Sequence, residues 1–114
     1  MAAAPPRRNS LRALQVWLEE NLAEDLSLPA LAEHVGMSTR HFSRVFAIET
    51  GTTPARYVEQ VRIGAARRLL ENTDQPMDRV AAAVALGSPE TLYRIFHHHL
   101  GIPPGEYRAR FTRV

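Results

Sequence analysis

Nine positions of this chain are matched in residue type, in order, after an interval of 49 or 50 positions. Phe46, Gly51, Pro54 and Tyr57 correspond to Phe96, Gly101, Pro104 and Tyr107 at an interval of 50, and Arg44 corresponds to Arg94. Upstream of these, Leu28, Leu31, Ala32 and Val35 correspond to Met77, Val80, Ala81 and Val84 at an interval of 49. A duplicated unit accounts for so many matches at helical spacing, and the change of interval places one additional residue in a turn of the second copy. Periodicity of this kind constrains a fold before any local propensity is weighed. In 114 residues it leaves room for two small units and a connection between them.

Apolar residues recur at 3.6-residue spacing in segments of helical length bounded by Gly and Pro, which predicts an all-α chain of seven helices. The first covers about residues 10–23, with Leu11, Leu14, Val16, Trp17 and Leu18 on its apolar face. The second follows Ser27 as N-cap, carries Leu28, Leu31, Ala32 and Val35, and stops at Gly36, where a positive φ is useful. The third opens at Ser38, buries Phe42, Val45 and Phe46, and ends at Gly51. A long fourth helix starts at Thr53-Pro54, an N-cap followed by proline at the first helical position, and runs to about residue 72 with Tyr57, Val58, Val61, Ala65, Leu69 and Leu70 inward. The cycle then repeats. A fifth helix from Pro76 uses Met77, Val80, Ala81 and Val84; a sixth from Ser88 uses Leu92, Ile95 and Phe96; a short seventh from Pro103-Pro104 contains Tyr107 and Phe111. Residues 1–9 read as a flexible linker remnant and 10–112 as the folded domain. Within it lie a first helix pair over about 28–50, a linking helix over about 54–72 and a second pair over about 76–100.

Each repeated unit is a short helix, a tight turn and a longer helix with a polar and basic face. That is the outline of a helix-turn-helix, whose second helix enters a DNA major groove. With Phe42, Val45 and Phe46 buried, the third helix turns Arg40, Ser43, Arg44 and Ala47 outward. With Leu92, Ile95 and Phe96 buried, the sixth turns out Glu90, Tyr93, Arg94 and His97. An Arg there can donate two hydrogen bonds to guanine O6 and N7, although an exposed Arg is most often only a solvated charge. Its recurrence at equivalent positions favours the base-reading role for Arg44 and Arg94. Ser38, Thr39, Ser88 and Thr91, near the helix N-termini, are placed for phosphate oxygens. Tyr93 either meets a sugar or thymine methyl or packs sideways on its neighbour. Glu90, repelled by phosphate, either accepts from cytosine or caps the helix after Ser88, and its place in the first turn favours the cap.

The charge distribution fits that geometry. The chain has 14 basic residues, all Arg, against 12 acidic ones, a net of only +2. Residues 11–36 nevertheless sum to −4, whereas 37–73 sum to +3 and 88–114 to +2, so the acidic first helix is expected to face away from a polyanion. An Arg-only inventory suits planar two-pronged donors and equally suits a GC-rich coding bias.

The motifs resemble the DNA-binding domain of the AraC/XylS family of bacterial transcription regulators over about residues 11–112. The resemblance rests on Leu31-Ala32 through Gly36-Met37-Ser38 with His41-Phe42-Ser43-Arg44-Val45-Phe46, and on Gly51-Thr52-Thr53-Pro54 with Tyr57. It extends through Arg62, Ala65-Ala66-Arg67-Arg68-Leu69-Leu70 and Gly101-Ile102-Pro103-Pro104 with Tyr107 and Phe111. It implies seven helices in two subdomains joined by the long helix, binding consecutive major-groove segments on one side of the duplex; the mechanism expected here is insertion of the third and sixth helices into adjacent major grooves about 34 Å apart. The expected partners are double-stranded DNA and RNA polymerase, together with an N-terminal effector domain in the full-length protein. Residues 53–59, 65–68 and 87–92 resemble the subgroup whose N-terminal half is glutamine-amidotransferase-like. Two departures stand out: Ala85-Leu86-Gly87 replaces the usual Gly-Phe-Ser of the second turn, and Tyr93 replaces a small polar residue.

Other classes fit less well. The sequence lacks a Gly-rich phosphate loop and a Gly-x-Ser-x-Gly element, its acids are scattered, and no catalytic residue or cofactor is expected. With no Cys, disulfide and cysteine-zinc frameworks are excluded. His97-His98-His99 is not read as a metal site, because adjacent helical residues point about 100° apart and ligands on one helix need spacing of three or four. No apolar run reaches the roughly 18 residues of a membrane span, and a cytoplasmic protein is expected. The alternative to DNA binding is a helical interaction module that docks an effector domain or RNA polymerase.

Overall fold

The computed structural model describes residues 7–111. Among the described residues seven helices follow one another: α1 (Arg7–Glu20), α2 (Leu28–His34), α3 (Thr39–Thr50), α4 (Pro54–Asn72), α5 (Met77–Ala83), α6 (Pro89–Leu100) and α7 (Pro104–Ala109). No strand occurs among the described residues. Residues 1–6 of the expected linker lie outside the described residues, while 7–9 form the opening of α1 rather than a lead-in. That helix also ends at Glu20, short of the expected residue 23. Asn21 closes it, its Nδ2 donating to the Trp17 carbonyl at 2.8 Å and its backbone N–H to the Leu18 carbonyl at 3.2 Å.

The chain divides into two compact units, residues 1–60 and 61–114, with α4 contributing to both. In the first unit α3 packs on α1 and α2. Leu11, Leu14, Leu18, Leu31, Ala32, Phe42, Val45, Phe46 and Val58 form its core, flanked by Trp17, Leu26, Val35, Met37 and Tyr57. In the second unit α6 packs on α5 and α7, and Ile63, Ala66, Leu70, Val80, Ala81, Val84, Leu86, Leu92 and Phe96 are buried. Ala32 and Ala81 are both fully buried, so a larger residue at either position would overpack the core of its unit.

The duplication extends to side-chain geometry. Phe46 meets Tyr57 edge-on at 5.4 Å and Phe96 meets Tyr107 edge-on at 5.3 Å, the arrangement favoured by the ring quadrupole. Gly51 and Gly101 end α3 and α6 in the left-handed conformation, at φ 77° and 79°. Between α2 and α3 lie four residues, and between α5 and α6 five, which is the additional turn residue expected from the repeat interval. The turns begin alike: Met37 N–H donates to the Ala32 carbonyl and Leu86 N–H to the Ala81 carbonyl, both at 2.9 Å. Gly36 sits there at φ 73°, and Ala85 takes the corresponding conformation at φ 60°.

Several expected core positions differ. Val16 is 56% exposed and Leu28 38%, each lying off the face that its helix turns to the core. In α4, Ile63 and Ala66 are buried although they were not expected to be, whereas Val61, Ala65 and Leu69 are only half-buried. Spacings of three and four from Ile63 through Ala66 to Leu70 define the face used in the second unit. Phe111 lies beyond the end of α7 and is exposed, its ring tilted against Tyr107 at 5.0 Å.

Candidate nucleic-acid interface

The face that α3 turns to solvent is fixed by what it buries. Phe42, Val45 and Phe46 lie in the core, and Thr39, Arg40, Arg44 and Ala47 are exposed, with Ser43 half-buried. On α6, Leu92 and Phe96 are fully buried and Ile95 half-buried, and Glu90, Tyr93, Arg94 and His97 are exposed. The two Arg residues therefore stand on equivalent faces of equivalent helices.

Both recognition-type helices begin with a serine cap. Ser38 Oγ accepts from the His41 N–H at 3.1 Å, and Ser88 Oγ accepts from the Thr91 N–H at 3.2 Å. Each thereby satisfies one of the four N–H groups that a helix start leaves without an intrahelical partner. Beyond the cap the two differ. The Ser88 hydroxyl donates to Thr91 Oγ1 at 3.2 Å, so its proton is engaged within the protein, whereas Ser38 is exposed with its hydroxyl hydrogen available. Thr91 and Ser88 are half-buried, and Ser38 and Thr39 exposed.

Three contacts at this surface were not legible from spacing alone. Arg44 Nη2 lies 3.3 Å from His41 Nδ1. Tyr93 and His97 stack nearly parallel, 9° apart in plane, with ring centroids 5.9 Å apart; this realises the sideways packing of the two readings of Tyr93, although the ring stays 51% exposed. Ile48, one turn beyond Arg44, is 74% exposed and lines a shallow cleft with His41, Arg44, Val45 and Glu49. An exposed aliphatic side chain beside an Arg can meet a thymine methyl next to a guanine. Its signal in the sequence was an Ile on the polar side of the buried stripe.

Glu90 lies in the first turn of α6, where the helix dipole favours an acid, and His97, His98 and His99 lie in its last turn, where the dipole favours cations. The rings of His98 and His99 meet edge-on at 5.6 Å. Among the described residues no three His, Cys, Asp or Glu side chains come together as a metal site requires.

The scaffold behind α6 is tied by charge. In the second unit, Tyr107 Oη donates to Glu71 Oε2 and accepts from Arg67 Nε at 3.1 Å, with the guanidinium 5.7 Å from the ring centroid. The hydrogen bond to Tyr107 and the phenol's charge, helped by Glu71, hold Arg67 protonated to higher pH than usual. Burial alone acts in the opposite direction on Arg62. No described helix is long and apolar enough to cross a membrane.

Comparison with known proteins places these features in one family. Residues 31–110 match the family described as a helix-turn-helix domain. The chain is 47% identical over 82 residues to an HTH-type transcriptional regulator of Mycobacterium tuberculosis, covering 72% of this chain but 32% of that protein's length. It is 30% identical over 106 residues to the multiple antibiotic resistance protein MarA of Escherichia coli, covering 90% of this chain and 84% of MarA. Among solved structures, the DNA-binding domain of AdpA, crystallised with a target DNA, superposes with a TM-score of 0.83 at 35% identity, covering 90% of this chain and 92% of that one. A regulator of Chromobacterium violaceum with an AraC-type DNA-binding domain gives 0.82 at 30% identity, covering 93% and 95%. With its duplicated helix pairs, its shared capping geometry and these relatives, the chain belongs to the AraC-type helix-turn-helix DNA-binding domains.

Proposed function

We propose that this chain binds double-stranded DNA at specific sequences and thereby regulates transcription, with α3 and α6 each entering a major groove. The observation that carries the reading is the recurrence of an exposed Arg, Arg44 and Arg94, on the face opposite the buried stripe of two equivalent helices. Arg44 and Arg94 read base edges. Arg40, Ser38 and Thr39 hold the phosphates beside α3, and Thr91, Ser88 and His97 those beside α6, Ser88 acting chiefly through the cap it forms. Tyr93 presents its stacked ring to the backbone sugar. The role is that of a binding protein and not an enzyme, exercised in the bacterial cytoplasm, with RNA polymerase as the second partner. An effector domain, of the glutamine-amidotransferase-like kind that the sequence resemblance implies, precedes this domain in the whole protein, and residues 10–112 form the DNA-binding part.

Selection from random duplexes tests this directly, because the recovered motif shows whether one helix or both read bases. Arg44→Ala is expected to cost about 1–3 kcal/mol of discrimination at one position of that motif with the circular dichroism spectrum of the fold unchanged. Unchanged affinity and unchanged preference would remove α3 from the groove. If the selection returns no motif and affinity for any duplex is insensitive to salt, the interaction-module reading takes its place.

A further inference from the structure

We infer that His41 is a positioning residue for Arg44: its Nδ1 accepts a hydrogen bond from the guanidinium and holds the Arg fork towards the base edges. The inference rests on the reading of Arg44 as a base contact. Arg44 Nη2 and His41 Nδ1 are 3.3 Å apart, three residues apart along α3, a spacing that puts two side chains on one helix face. A guanidinium has donors only, so Nδ1 must be the acceptor, which fixes His41 as the neutral ring with its proton on Nε2. One N–H of Nη2 is thereby used, and Nη1 with the second Nη2 N–H remains for a two-pronged contact with guanine. The ring is well placed for this task. His41 is half-buried while Arg44 is exposed, and the N–H of His41 is itself fixed by the Ser38 cap. An Arg held in this way loses less conformational freedom when it engages a base.

The second unit lacks the device. Thr91 occupies the position that corresponds to His41, and it turns to Ser88 instead. Base reading by α3 is therefore more exacting than by α6.

The experiment measures the ratio of affinities for the selected duplex and a shuffled duplex of the same composition. The chains compared are the unsubstituted protein, His41→Phe, His41→Asn, Arg44→Ala and the His41→Phe/Arg44→Ala double variant, each first checked for an unchanged helical spectrum. In His41→Phe the ratio should fall about threefold to tenfold below that of the unsubstituted protein, the scale of one hydrogen bond, and His41→Asn, which keeps an acceptor in place of Nδ1, should hold it close to the unsubstituted value. In the Arg44→Ala background His41→Phe should have no further effect. If Arg44→Ala lowers the ratio but His41→Phe leaves it intact, or if His41→Asn is as low as His41→Phe, the inference is overturned and the base-reading role of Arg44 stands. If Arg44→Ala leaves the ratio unchanged, both fall.

Discussion

At the scale of single residues, the two turns are an internal control on one another. Gly36 and Ala85 occupy the same place in the repeat and the same left-handed region, at φ 73° and 60°. A Cβ built on Gly36 would meet nothing within 4 Å, so any difference between Gly and Ala at these positions is a backbone effect. An L-residue with a Cβ pays about 1–2 kcal/mol in this region, while Gly loses about 0.5–1 kcal/mol more in folding entropy. Ala85→Gly should therefore stabilise the second unit by about 0.5–1 kcal/mol, and Gly36→Ala should destabilise the first by about 1 kcal/mol; urea denaturation of the two variants reads both signs. The departure of Ala85 from the usual Gly was legible in the sequence, and its strain is what the structure adds. Tyr57 carries a second prediction at this scale. Burial, then the charge of Glu19, raise its phenol above the ordinary value, and a hydrogen bond with Gln15 opposes them. A folded-state value above the unfolded one means that the contribution is complete below about pH 10 and is lost as pH rises through the folded value. Stability should decline above that pH, and Tyr57→Phe should remove this part of the decline in denaturation curves taken from pH 8 upwards.

At the scale of elements, α7 is the segment least able to stand alone. It has six residues, against the 12–15 or so that an isolated helix needs for even marginal stability. Its attachment is the Tyr107 ring against Phe96, the Tyr107 hydroxyl between Glu71 and Arg67, and Arg108 Nε donating to the Leu70 carbonyl at 3.4 Å. Tyr107→Phe keeps the ring and removes the hydroxyl, so the loss expected is about 1–2 kcal/mol, the scale of a half-buried hydrogen bond to charged groups. Amides of α7 should exchange faster in that variant, and a change of only a few tenths would show the hydroxyl network to be idle. Nothing local announced this network, because Glu71 and Tyr107 are 36 positions apart. What the sequence did make legible were features decided within a turn or two: the caps Ser38, Thr53 and Ser88, the glycine stops at Gly51 and Gly101, and the prolines that open α4, α6 and α7. Periodicity alone misplaces the stripe of α4, because its buried positions break step between Val58 and Ile63, where the helix passes from one unit to the other. The outward faces of α3 and α6 could be read as the complement of the buried stripes, but the pairings of Arg44 with His41 and Tyr93 with His97 depend on rotamers, which periodicity does not specify.

At the scale of the whole molecule, a net charge of +2 understates the field that DNA would meet. Acidic groups concentrate in residues 11–36, at −4, and the segments carrying α3, α4 and α6 are basic. If two helix pairs each engage phosphates, about six contacts are a reasonable total, and release of their counterions gives a slope of log affinity against log salt near −5. Affinity should then fall about a thousandfold between 50 and 200 mM salt. The slope also sorts the arginines. Arg40→Ala, removing a phosphate contact, should weaken every duplex alike and make the slope shallower by about 0.9, whereas Arg44→Ala should cost discrimination while changing the slope much less. Titrations of a selected and a shuffled duplex over this salt range separate the two effects. A slope near zero would mean that the Arg-rich faces are solvated surface, and the segregation of charge along the chain would then need a polyanion other than DNA to explain it.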